Sequence, residues 1–231
     1  MPERTRPTPA QRYPAATIAA VYRAAAPLLP EDSRPYRLRI FGTDVLLFAR
    51  LDEAEHARRL DAGARRLWIG HLDVLMNLPE GEPVPLTSIK LPLRKAVRAL
   101  PHGAVRIEAG YVTRLAVRPL KADLAVVRGR STARAGRFGA ICPRMLLLDR
   151  TPADLEDLLF TADCWGVGVF APAGDGLQVA LPPAPFRPGR HTPAAWSLVE
   201  DLYLALLDQH LIDRVVPVRA GTAVIARKDE R

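Results

Sequence analysis

Apolar and polar positions alternate along one early stretch of the chain and predict a pair of strands. In residues 36–50, YRLRIFGTDVLLFAR, the apolar Tyr36, Leu38 and Ile40 alternate with arginines. This is the two-residue period of a half-buried strand. The Gly-Thr-Asp sequence in the middle of the stretch is typical of a turn. The pattern therefore predicts two strands joined by that turn.

Further strands and helices follow in alternation, with Asp52, Thr151 and Thr192 as predicted helix N-caps. The predicted helices are 17–29, a helix or helix pair from Glu53 to about residue 76, 87–100, 151–163 and 193–211. The predicted strands are 104–108, 111–118, 122–127, 140–149, 165–171, 177–181 and a closing strand within 215–226. This order predicts an α/β fold with a mixed β-sheet flanked by helices.

The same pattern suggests how the chain is divided. Residues 1–14 are rich in proline and charge, and we expect a disordered tail. Residues 15–103 are predicted to form an N-terminal helical and β extension, and residues 104–226 an α/β core with a C-terminal helix.

The positive charge of the chain is concentrated in one stretch. The 231 residues carry 33 Lys and Arg against 25 Asp and Glu, a formal charge of +8. Residues 87–150 hold 14 basic and three acidic side chains, and residues 151–213 hold two basic and nine acidic ones. Such a segment favours a polyanionic partner, which we expect to be nucleic acid, and DNA before RNA. The alternative is that the basic stretch packs against the acidic stretch of the same chain.

Two groups of basic side chains in this stretch are candidate phosphate ligands. They are Arg94, Lys95 and Arg98 on one face of the predicted helix 87–100, and Arg128, Arg130, Arg134 and Arg137 in the loop RGRSTARAGR. Most are arginines, whose planar guanidinium group binds phosphate with two parallel hydrogen bonds. The loop contains almost no apolar residue, so it cannot belong to the core.

From residue 120 the predicted order is strand, loop, strand, helix, strand, strand. The segments read KADLAVVRG, MLLLDRT, PADLEDLLFTADC, WGVGVFAP and GLQVALP. Over residues 120–181 this order resembles the core of the PD-(D/E)XK superfamily, the restriction-endonuclease-like fold. The resemblance implies that Asp123 and Asp149 are the metal-binding and catalytic carboxylates, which would hold Mg²⁺ for phosphodiester hydrolysis. Where the family has a lysine, the triplet Asp149-Arg150-Thr151 ends in threonine.

The missing lysine makes a degenerate, non-catalytic core our leading interpretation. We therefore expect a nucleic-acid-binding protein without a cofactor. An active Mg²⁺-dependent nuclease using Asp123 and Asp149 is the first alternative. The second is a protein-interaction or self-assembly module with no nucleic-acid role, in which the acidic region 151–213 and the basic region 87–150 contact a protein partner or another copy of the chain.

Other features set the expected compartment. The sequence has no run of about 18 apolar residues, so we expect no membrane partner. Its start lacks the apolar region of a secretion signal, and its two cysteines, Cys142 and Cys164, form no disulfide framework. We expect a cytoplasmic protein, and 29 Arg against four Lys suggest a GC-rich bacterial genome. Both cysteines, and all three tryptophans, are predicted to be buried.

Overall fold

The computed structural model describes residues 13–174, 176–187 and 192–212. Its helices are α1 (Ala15–Ala25), α2 (Glu53–Asp61), α3 (Ile69–Met76), α4 (Leu91–Arg98), α5 (Thr132–Gly136), α6 (Leu155–Cys164) and α7 (Pro193–Asp208). Its strands are β1 (Arg34–Ile40), β2 (Thr43–Leu51), β3 (Pro83–Pro85), β4 (Val105–Glu108), β5 (Tyr111–Arg114), β6 (Leu120–Arg128), β7 (Arg144–Leu147), β8 (Gly168–Ala173) and β9 (Gly176–Leu181). Single turns of 3₁₀ helix lie at Ala26–Leu28 and Leu86–Ser88.

Six strands form the main sheet in the spatial order β1-β2-β6-β7-β8-β9. β6, β7 and β8 run parallel to one another, and the other neighbouring pairs are antiparallel. α1 packs on one face, where its Val21 and Ala25 meet Leu46 and Phe48 of β2. α5, α6 and α7 supply side chains to the core on the other face. One of them is Ala135 of α5, so the expectation that the loop RGRSTARAGR lies outside the core was wrong at this residue. The predicted α/β class, with a mixed sheet flanked by helices, is therefore confirmed.

The side chains of Asp52 and Thr192 cap α2 and α7 as predicted. Asp52 Oδ1 accepts the amide of Glu55 at 2.8 Å, and Thr192 Oγ1 accepts the amide of Ala195 at 3.1 Å. The prediction for α6 was wrong at its start. The N-cap residue is Asp154 instead of Thr151, and the first helical hydrogen bond runs from the Leu158 amide to the Asp154 carbonyl oxygen.

Tyr13, which falls in the predicted tail 1–14, is fully buried. Its hydroxyl accepts the amide of Arg128 at 2.9 Å and donates to the carbonyl oxygen of Val126 at 3.0 Å. Tyr13 of that predicted tail therefore belongs to the core. Residues 1–12 and the predicted strand within 215–226 lie outside the described residues.

Residues 52–119 form a lobe, here called the inserted lobe, that leaves and rejoins the main sheet at one point. Leu51 of β2 is the register partner of Leu120 of β6. The amide of Asp52 donates to the carbonyl oxygen of Pro119 at 2.9 Å. The inserted lobe contains α2, α3, α4 and a second, three-stranded sheet of order β3-β5-β4. Because β2 pairs with β6, the main sheet crosses the domain boundary predicted after residue 103.

A buried network of charged side chains joins the inserted lobe to α7. The guanidinium of Arg59 donates to Glu200 of α7 and to Glu55, in each case at 2.6 Å. Glu200 also accepts the Leu67 amide at 3.1 Å and the Trp196 indole N–H at 2.9 Å. Burial alone lowers the pKa of Arg59, but the bonds and charges of Glu200 and Glu55 outweigh it and leave that pKa raised.

The prediction that all three tryptophans are buried was wrong for two of them. Trp196 is 2% exposed, but Trp68 is 61% and Trp165 is 59% exposed. Trp68 precedes α3 and stacks against the guanidinium of Arg66, with the Cζ atom 4.6 Å from the ring centroid. Trp165 is the C-cap residue, directly after α6.

The same prediction for the two cysteines held for one. Cys142 is buried, and burial raises the pKa of its thiol, whereas Cys164 is exposed. Cys164 is the last residue of α6 and directly precedes Trp165.

Candidate nucleic-acid interface

Ion pairs within the chain neutralise two arginines of the basic loop. Arg128, the last residue of β6, bonds to Asp149, and Arg130 bonds to Asp154. The hydrogen bond from Arg130 lowers the pKa of the Asp154 carboxyl group, which therefore stays ionised. The packing of the basic stretch against the acidic stretch, raised above as an alternative, thus occurs at Arg130–Asp154, whereas Arg128–Asp149 is an ion pair within the basic stretch.

The other two loop arginines differ from each other. Arg137 donates to the carbonyl oxygen of Phe41 at 2.7 Å, so it joins the loop to the turn between β1 and β2. Arg134, on α5, is exposed and forms no ion pair with the residues that the structure describes. Of the four predicted phosphate ligands in this loop, Arg134 has its charge most available.

The three predicted phosphate ligands on α4 also differ from one another in burial and in hydrogen-bond partners. Arg94 is half-buried and donates to the carbonyl oxygens of Ile89, at 3.0 Å, and Thr87, at 3.4 Å. These bonds hold the 3₁₀ turn Leu86–Ser88 against the start of α4. Lys95 and Arg98 are exposed, and within the described ranges neither makes an ion pair.

The exposed side of α4 extends beyond the predicted residues. Leu91, Lys95 and Arg98 are spaced by four and three positions, so they lie along one line of the helix surface. Leu91 is 60% exposed. Lys90, at the N-cap position, is also exposed. Lys90, Leu91, Lys95 and Arg98 are here called the α4 outer face.

The surroundings of α4 are strongly basic. Residues 83–118 contain seven Lys and Arg and a single acid, Glu108. That acid lies on β4, 3.5 Å from the guanidinium of Arg106. α4 itself contains no acidic residue. The α4 outer face therefore keeps its positive charge, in contrast to the loop after β6.

The two carboxylates implied by the nuclease resemblance lie far apart. Ala125 of β6 is level with Arg144 of β7, so Asp123 lies near the start of this parallel pair and Asp149 lies beyond its end. Asp149 bonds to Arg128, which is five residues from Asp123 along β6, or about 16 Å. Residues at this separation do not fit a shared Mg²⁺ ion.

Asp123 already has a cationic partner. Its carboxylate, almost fully buried, accepts two hydrogen bonds from Arg50, at 3.0 and 3.1 Å. The hydrogen bond to Asp123 is the largest cause of a raised pKa for Arg50, which stays protonated. A β-bulge places Asp123 between the residues that pair with Phe48 and Ala49. The arrangement is typical of a structural ion pair.

Sequence reasoning missed Lys90, Leu91 and Arg50. The first two carried a usable signal, because Leu91 begins the four-and-three spacing with Lys95 and Arg98. No sequence signal identified Arg50, since its partner Asp123 is 73 residues away in the chain.

Comparisons of the chain with protein-family models, with curated proteins and with solved structures found no significant match. Within residues 13–174, 176–187 and 192–212, no helix has the length and apolar character needed to cross a membrane.

Proposed function

We propose that this protein binds nucleic acid through the α4 outer face and does not cleave it. The observation that carries the proposal is the charge of that face. Lys90, Lys95 and Arg98 project from an acid-free helix and a strongly basic segment, with no ion pair in the described part of the chain. Side chains of this kind exchange water and counterions for phosphate groups at low cost.

The loop after β6 is the weaker candidate. The guanidinium groups of Arg128 and Arg130 each bond to a carboxylate, of Asp149 or Asp154, so their charge is already partly compensated when a phosphate group approaches. In this proposal the loop contributes Arg134, and α4 provides the main contacts.

The test compares two double variants by fluorescence anisotropy with labelled duplex and single-stranded DNA at three salt concentrations. Lys90→Ala/Arg98→Ala removes two cations of the α4 outer face, and Arg128→Ala/Arg130→Ala removes the same charge from the ion-paired loop. Each lost phosphate contact lowers the salt slope on duplex DNA by about 0.9, so we expect a decrease of about 1.8 for the α4 variant. The loop variant is expected to change the slope much less.

Three outcomes would contradict this proposal. Equal losses from both variants would place the contact elsewhere. A larger loss from the loop variant would make the loop the interface. Absence of binding to either form of DNA at low salt, together with salt-sensitive oligomers, would favour the interaction-module alternative.

The resemblance of residues 120–181 to a restriction-endonuclease-like core stays a prediction, and we propose that any such core here is non-catalytic. Thr151 at the lysine position and the Arg50–Asp123 pair support that proposal. Incubation of duplex DNA with the protein and Mg²⁺ is expected to leave its length unchanged. Shortened DNA that Asp149→Ala protects would instead support the nuclease; Asp149 is the better position to change because it is exposed.

A further inference from the structure

The connectivity of the inserted lobe indicates how α4 is used. After α3 come β3, the 3₁₀ turn Leu86–Ser88, α4, β4 and β5, and the small sheet has the order β3-β5-β4. The 3₁₀ turn, the two residues Ile89 and Lys90, and α4, followed by the β4–β5 hairpin, have the order of elements of a helix-turn-helix with a wing. The first helix of the pair is reduced here to a single turn. The amide of Leu86 donates to the carbonyl oxygen of Gly110, in the turn of the wing, at 2.8 Å.

A separate apolar core determines which side of α4 faces outwards. Leu93 and Val97 pack with Leu86, Ile89 and Val112, which come from the 3₁₀ turn, the two-residue turn and β5. The line of Leu91, Lys95 and Arg98 is therefore on the side of α4 that this core does not cover. In a helix-turn-helix, this side of the second helix is the one that meets nucleic acid.

The wing is a tight hairpin. Ala109 and Gly110 form its two-residue turn, and both have positive φ, at 49° and 83°. Tyr111, directly after the turn, is 47% exposed, and Ile107, in β4, is 42% exposed. The wing thus adds a second exposed surface to the same lobe.

We infer that α4 enters the major groove of duplex DNA, with Leu91 and Lys95 at base edges and Lys90 and Arg98 at phosphates. This inference rests on the proposed nucleic-acid binding and names the form of nucleic acid. The major groove of B-form DNA is about 12 Å wide and accepts a helix of about 10–12 Å diameter. The major groove of A-form RNA is deep and narrow, so side chains on a helix cannot read it.

The residue types of the α4 outer face suit this groove. Residues near the start of a recognition helix contact base edges, and Leu91 and Lys95 lie in the first and second turns of α4. A lysine ammonium donates to guanine O6 and N7, and an apolar side chain contacts the thymine methyl group.

The experiment begins with selection of preferred duplexes from a random-sequence DNA pool by the whole protein. Anisotropy titrations then compare the selected duplex with scrambled duplex DNA, duplex RNA of the same sequence and single-stranded DNA. The variants are Lys95→Ala, Leu91→Ala and Arg98→Ala, with Arg23→Ala on α1 as an exposed control. Circular dichroism checks that each variant is folded.

We expect Lys95→Ala to weaken binding to the selected duplex by roughly 5- to 150-fold and to remove the preference at one base position. Leu91→Ala is expected to lower discrimination at a thymine. Arg98→Ala should weaken all duplexes alike and reduce the salt slope by about 0.9. Arg23→Ala should change neither affinity nor preference.

Two results would overturn the inference, and they differ in their consequence for the proposed function. If the α4 variants weaken duplex RNA or single-stranded DNA as much as duplex DNA, the groove assignment fails while nucleic-acid binding through α4 stands. If the protein binds none of these nucleic acids at low salt, the proposed function fails and the groove assignment with it.

Discussion

At the scale of the residue, arginine side chains have different roles that depend on their partners. Arg59 is buried between two carboxylates. Arg94 donates to carbonyl oxygens of the turn before α4, and Arg98 projects from α4 into solvent. The sequence identifies all three as basic and gives no partner for any of them. Partners that are distant in the chain, such as Glu200 for Arg59, depend on the tertiary fold.

Loss of the Arg59 side chain should strongly destabilise the protein. Arg59→Met leaves the buried carboxylate of Glu200 without a cation, whereas Glu55 keeps its bonds to Arg58, and we expect a loss of about 3–5 kcal/mol in the free energy of unfolding. Urea denaturation followed by circular dichroism measures it. Arg65→Met is the matched control, because Arg65 and Asp208 form an ion pair in which both side chains are more than half-exposed. Its expected cost is below about 1 kcal/mol, and equal costs would contradict the role given to the network.

At the scale of the element, the contact between the turn after α4 and the end of α2 depends on one glycine. Gly103 has φ of +79°, and its carbonyl oxygen accepts a hydrogen bond from Arg58 at 2.6 Å. A Cβ atom at this position would lie 3.0 Å from Ala62 Cβ and 3.1 Å from Arg58 Nη1. The backbone conformation and the close packing both require glycine.

Gly103→Ala should therefore destabilise the protein more than an alanine at a comparable open site. The left-handed conformation alone costs about 1–2 kcal/mol for alanine. Gly63→Ala supplies that reference, because Gly63 has φ of +64° and a Cβ atom there would have no heavy atom within 4 Å. Thermal unfolding of the two variants gives the difference, which is the cost of the contact. A smaller effect at Gly103 would mean that the two elements separate easily.

Elements with a strong local pattern were predictable, and those defined by distant partners were not. The alternation in residues 36–50 predicted β1 and β2, and Asp52 and Thr192 were recognised as caps. β3 is three residues long and includes two prolines, so it has no periodicity, and its place in a sheet comes from pairing with β5. The predicted α4 residues Lys95 and Arg98 were identified from local spacing. The ion pairs that occupy the predicted loop residues depend on chain folding.

At the scale of the whole molecule, the inserted lobe and the main sheet have different roles. The main sheet contains the larger core, and the inserted lobe has apolar cores of its own and presents the α4 outer face. Since Leu51 and Leu120 are register partners, a two-residue turn can join them directly.

Replacement of residues 52–119 by Asn-Gly should give a folded sheet that does not bind nucleic acid. Glu200→Gln must accompany this change, because Glu200 would otherwise lose Arg59 and become an uncompensated charge. Circular dichroism and anisotropy measure folding and binding. Nucleic-acid affinity that survives the deletion would contradict the placement of the interface on α4. An unfolded product would show that the sheet requires the lobe.

The single point of entry and exit also has a consequence for descent. A lobe that begins and ends between two paired strands can be gained or lost in one in-frame genetic event, without a change in the order of the strands on either side. Such an event would make the main sheet one unit of descent in two pieces, residues 13–51 and the described residues from 120 to 212, and the inserted lobe another. Relatives of the two units need not be the same proteins, so ancestry is best traced for each unit separately.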